Sequence, residues 1–163
     1  YLQRATEAYV GQLDYTLALE GLVYTRARGL EINSIKCIDR IAMPEKICRH
    51  KLQDEYWFQE GCHILEVANH PDDPQVSIAR ARVEPGATTQ WHYLRDTWER
   101  YLIVTGTGIV EIGDLAPARV SAGDVAVIPH DTRQRIRNTG LQDLIFYAIC
   151  SPRFTPDCYQ SLE

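Results

Sequence analysis

The chain lacks any apolar run near the roughly 20 residues that a bilayer-spanning helix needs, so a helical membrane span is excluded. It also lacks an excess of positive charge. Lys and Arg number 17 against 22 for Asp and Glu, a net charge of −5. Such a balance argues against nucleic acid as the principal partner, because that binding is carried by basic side chains. No Cys-x-x-Cys pair occurs among Cys37, Cys48, Cys62, Cys150 and Cys158. A zinc knuckle and a dithiol redox motif are therefore not expected. An odd number of cysteines without a regular framework points to free thiols in a reducing compartment. No positively charged, apolar leader opens the chain, and with the thiols this predicts a cytoplasmic protein. No internal repeat is present, so 163 residues read as one main domain rather than two copies of a smaller one.

What the chain does have is 45% hydrophobic residues, ordinary for a globular protein. From Arg80 to Cys150 they fall in short runs rich in Val, Ile, Tyr and Ala. Turn residues separate the runs: Pro85-Gly86, Gly106 to Gly108, Gly113-Asp114, Gly123-Asp124 and Asn138 to Gly140. Strands at that spacing predict an antiparallel sandwich or barrel. Side chains on a strand alternate between faces. His92 and Leu94 thus share a face, as do Glu99, Tyr101 and Ile103, and as do Gln134 and Ile136. Arg133, Arg135 and Arg137 point the other way from Gln134. Three arginines cannot be buried unpaired, so Gln134 faces inward and the arginines form a solvated outer stripe. Arg100 turns Glu99 inward by the same reasoning.

An inward His92, Glu99 and Gln134 make a candidate site for a small molecule or a metal, since β-barrels hold ligands in their mouths. Tyr101, in phase with Glu99, adds a phenol that can orient a ligand or donate a proton; its simpler use is as a core aromatic. Cys150, closing the run from Leu144, reads as a small buried hydrophobe. His63 lies in the strand-like run Cys62 to Glu66, with Cys62, Ile64 and Glu66 on the opposite face.

The flanks are less regular. Residues 1–60 read as an N-terminal extension, helical over 1–21 from the spacing of Leu2, Ala5, Tyr9, Leu13 and Leu17, with Gly21 as its stop. Irregular and strand segments follow, and Tyr56-Trp57-Phe58 read as a core or interface plug. Residues 61–154 form the predicted barrel and 155–163 a tail. An open sheet edge needs covering, and a homodimer is expected to do so.

The two segments with most turn residues resemble the paired motifs of the cupin superfamily. Gly86 is followed after five residues by His92, then Glu99, then Gly106. Gly123 is followed after five residues by Pro129, and Asn138 closes the second segment. The spacings hold, while Leu94, Asp131 and Gln134 replace the second His, the Gly and the last His of the motifs. The ending Ile149 to Phe154 is similar to that of small single-barrel cupins. The resemblance spans roughly Gly61 to Phe154. It implies an all-β fold, a double-stranded β-helix or jelly-roll barrel. It also implies a metal site at the positions of His92, Leu94, Glu99 and Gln134. Leu94 has no lone pair, and an amide oxygen suits hard cations better than zinc, copper or iron. His63 is the candidate replacement ligand. Two functions stay open. One is a small-molecule enzyme of dioxygenase, isomerase or lyase type, working through a divalent metal or through His92 and Glu99 as base and acid. The other is a metal-free cupin that binds or senses a small ligand.

Overall fold

A computed structural model describes residues 45–163 and the backbone of two strands before them, β1 (Tyr15–Leu19) and β2 (Leu22–Arg26). These two pair antiparallel with Leu19 opposite Leu22. The helix expected over residues 1–21 is thus corrected to a strand across Tyr15–Leu19; the rest of that expectation lies outside the described residues. Thr16, Tyr15, Val23, Tyr24 and Thr25 are β-branched or aromatic residues suited to a pleated surface. Of the spaced residues that predict the helix, Leu17 alone falls in β1.

The chain then forms β3 (Tyr56–Phe58), β4 (Cys62–Ala68), β5 (Ser77–Val83), β6 (His92–Leu94), β7 (Trp98–Thr105) and β8 (Thr107–Ile112). It continues with β9 (Ala118–Ser121), β10 (Val125–Ile128), β11 (Gln134–Asn138), β12 (Leu144–Ser151) and β13 (Tyr159–Ser161). The only helical elements among the described residues are single 3-10 turns at Leu52–Asp54 and Pro156–Cys158. One sheet has six strands in the order β10-β7-β12-β5-β4-β3, the other five in the order β13-β6-β11-β8-β9. The all-β jelly-roll expectation holds. A closed barrel does not: the hydrogen-bond ladders stay in two separate sheets. The strands added at the flanks, β3 and β13, carry the sheets beyond the expected span of residues 61–154.

Alternation decides which face packs. Along β12 burial alternates strictly, with Leu144, Phe146, Ala148 and Cys150 inward. Tyr101 and Ile103 on β7, and Ile136 on β11, join Leu144, Phe146 and Ala148 in one core, while Cys150 packs with Leu94 and Cys158 in a second. The tight corners that fix these strands need special backbone. Gly106, between β7 and β8, has φ +86, and a Cβ there would lie 2.7 Å from the Asp143 carbonyl oxygen. Only glycine fits. Asp131 takes φ 59 at the position where the motif has glycine. Asp tolerates the left-handed region better than most side chains, and its Oδ1 accepts from the Asp96 N–H at 3.3 Å.

Candidate functional site

The two inner faces enclose a cleft of about 550 Å³, its open mouth included. The cavity proper is small, about 50 Å³, and the remainder is the open mouth. His92 enters it from β6, the strand paired with β11 through the His92–Gln134 register. Glu99 enters from β7 in the opposite sheet, beside Cys150 of β12. The site is thus built across the sandwich. His92, Glu99 and Gln134 are all buried, as is Tyr101.

His92 has two distinct nitrogens. Nδ1 lies 2.9 Å from the Gln90 carbonyl oxygen. A carbonyl can only accept, so Nδ1 carries the proton and Nε2 keeps its lone pair in the neutral ring. Nε2 faces Glu60 Oε2 at 3.5 Å. Glu60 sits in the turn between β3 and β4. Its backbone carbonyl accepts from the Gln90 N–H at 2.7 Å, which ties that turn to the strand entry before His92. Its Oε1 accepts from the Cys62 thiol at 3.0 Å. Tyr159 of β13 stacks on the His92 ring at 5.2 Å.

Glu99 is held differently. Gln134 Nε2 donates to its Oε2 at 2.6 Å, and the Cys150 thiol donates to its Oε1 at 3.6 Å. Burial disfavours its charge and pushes its pKa from 4.5 up to about 7; His92 opposes that rise and Glu60 adds to it. The carboxyl therefore exchanges its proton near neutral pH. Burial likewise raises the Cys62 and Cys150 thiols and the Tyr101 phenol, so all three stay protonated. Tyr101 packs its ring on Phe146 at 4.4 Å and lines the cleft.

The structure therefore brings His92, Glu99, Gln134 and Tyr101 together, as the alternation of their strands requires. It re-pairs two of them: His92 faces Glu60, while Glu99 is bonded by Gln134. His63 is not brought in. It lies on the outer face of β4, with Nε2 3.3 Å from Glu84 and its ring edge-on to Trp57. Cys62, Ile64 and Glu66 take the inner face instead. Sequence reasoning missed Glu60 as a site residue. A glutamate in the turn Gln59-Glu60-Gly61 belongs to no periodic face and reads as solvated. Tyr159 was missed because three residues of β13 carry too little pattern.

The donor set is a poor fit for a metal. Leu94 fills one motif position with an apolar side chain, 3% exposed. Gln134 turns its N–H toward Glu99 and so occupies one carboxylate oxygen. Among the described residues no three His, Cys, Asp or Glu side chains converge as a metal would require. Gln134 Oε1 is buried without a hydrogen-bond partner. A lone orphan oxygen suits a water or a ligand hydroxyl.

Fold and site together define a small jelly-roll protein with a polar interior. Residues 79–150 match the family model for the cupin domain. That match spans 72 of the 163 residues, within the two-sheet jelly roll. No curated protein sequence matches it. Among solved structures it is similar to Pac13 from Streptomyces, a nucleoside dehydratase seen in a complex with uridine. That likeness has a TM-score of 0.60 at 16% identity, over 74% of this chain and 93% of that one. KdgF from a Halomonas species aligns with a TM-score of 0.55 at 24% identity, over 62% and 89% of the two chains. An uncharacterised double-stranded β-helix protein from Klebsiella pneumoniae aligns at 0.57 and 14% identity, over 68% and 92%. At such identities the likeness establishes the fold alone.

Proposed function

We propose that the cleft binds a small organic molecule and that His92 and Glu99 move protons on it without a metal. The observation that carries this reading is the tautomer of His92. Its Nδ1–H is spent on the Gln90 carbonyl, which leaves Nε2 as a base beside Glu60. Glu99, protonated up to about pH 7, supplies the complementary acid. Base and acid on opposite sheets suit isomerase or lyase chemistry. In an elimination, Nε2 would take a carbon-bound proton while the Glu99 carboxyl gives its proton to a leaving hydroxyl. Water leaves, a double bond forms, and proton return from His92 to Glu99 resets the pair. The dehydratase activity of Pac13 supports this class of reaction by analogy of fold. Glu60 steadies the imidazolium that forms. Tyr101, protonated throughout, orients the ligand by donating a hydrogen bond.

Two measurements test the reading. Protein purified without chelator is expected to hold far less than one transition metal per chain, with no thermal shift on adding manganese, nickel, zinc or iron. Uridine and a panel of small hydroxylated carbonyl compounds are then incubated with the protein in deuterated water. Deuterium incorporation or loss of water is expected for at least one, and is expected to vanish in His92→Asn. Stoichiometric metal, or turnover that survives His92→Asn, would sink the proposal.

A further inference from the structure

Among the described residues, seventeen line the cleft and none of these is Lys or Arg. Three are glutamates: Glu60, Glu66 and Glu99. The one basic group, His92, already faces Glu60 at 3.5 Å. The arginines near the wall are committed elsewhere. Arg80 and Arg82 lie on the outer face of β5, bonded to Glu55 at 2.8 and 2.7 Å. Arg153, close enough to Glu66 to lower its pKa, donates to the Asn69 side chain at 2.8 Å and to the Phe154 carbonyl at 3.5 Å. A carboxylate or phosphate entering the cleft would meet three carboxyl groups and one nearby cation, Arg153, whose hydrogen-bond acceptors are neutral and whose charge acts on Glu66.

The burial gradient adds direction. The floor is buried and carries His92, Glu99, Tyr101 and Phe146. The rim is only partly covered and carries the rings of Tyr56, Phe58, Phe154 and Tyr159, with Glu66 exposed among them. Aromatic rings with a carboxylate at their edge attract a positively charged ligand, through the ring quadrupole and through direct charge.

We infer that the cleft takes a small organic cation, a protonated amine on a flat apolar body, and rejects carboxylates of the same size. This rests on the reading of the cleft as the ligand site. The test uses three probes of nearly equal shape: benzylammonium, benzyl alcohol and benzoate. Each is titrated into the full chain at neutral pH, with the His92 ring protons followed by NMR. Benzylammonium is expected to bind about tenfold tighter than benzyl alcohol, and benzoate to give no saturable shift. Glu66→Gln, a change on the exposed rim, is expected to weaken benzylammonium several-fold and leave benzyl alcohol unchanged. Benzoate or benzyl alcohol binding as tightly as the ammonium would overturn the charge preference while leaving the cleft as a ligand site. So would a benzylammonium affinity that Glu66→Gln does not move. Failure of all three probes to shift His92 would overturn both.

Discussion

Glu99 is the residue in which sequence, burial and chemistry meet most closely. Its inward direction was legible from Arg100, since adjacent strand residues face opposite ways. Its partner was not: alternation says which face a side chain takes but not which neighbour it meets across the sandwich. The environment then sets its proton affinity. The carboxyl titrates near 4.5 when unfolded and near 7 when folded. The folded state therefore holds the proton more tightly. Its contribution to stability is full below about pH 4.5, declines as pH rises to 7, and is lost above. The decline amounts to about 3 kcal/mol. Glu99→Gln removes it while keeping a hydrogen-bonding side chain beside Gln134. Urea denaturation at several pH values should show the variant gaining about that much on the wild type between pH 4.5 and 8. A difference independent of pH would contradict the raised carboxyl.

Short elements were the least legible part of the chain. β3 and β13 have three residues each, and such runs show no period. What makes them strands is the partner each lies beside, which is a property of the fold. The misreading of Tyr15–Leu19 has the same origin, because the hairpin partner decides where spacing is ambiguous. β3 nonetheless positions the cleft. Tyr56 and Phe58 face its mouth, while Trp57 packs on His63 outside. Glu55, the residue before the strand, accepts charge-assisted bonds from Arg80 and Arg82, whose guanidinium groups lower its pKa, Arg82 most. These bonds fasten the edge strand to β5 from the outer side. Glu55→Ala is expected to cost about 1–2 kcal/mol. Its more specific effect is local. Amide exchange should accelerate along β3 and leave β7 and β12 unchanged, because the ladder that holds those strands does not involve Glu55. Uniform acceleration across both sheets would show that the bonds support the whole domain instead.

At the scale of the whole molecule, two sheets must stay in register because each supplies half of the site. The spacing of Gly86, Gly106, Gly123 and Asn138 made this architecture legible, since turn residues are dictated by local backbone. A closed barrel was expected from the same spacing, but closure depends on ladders between sheet edges that no local signal records. Asn138 is where the sheets are tied. It ends β11 of the five-stranded sheet and is fully buried. Its Nδ2 donates to the Val83 carbonyl of the six-stranded sheet at 2.9 Å and to the Gln142 carbonyl at 2.8 Å. Its Oδ1 accepts from the Gly140 N–H at 2.8 Å. Removing the amide leaves three backbone groups without partners at a dry corner. At roughly 1 kcal/mol for each bond, Asn138→Ala is expected to lose about 3 kcal/mol. That is a large share of the 5–15 kcal/mol typical of a domain. Asn138→Asp keeps the acceptor for Gly140 but brings a charge and no donor to the two carbonyls, so it should lose at least as much at neutral pH. Denaturation midpoints would check both. If Asn138→Asp kept wild-type stability, the tie would run through Gly140 alone, and the bond between the sheets would contribute little.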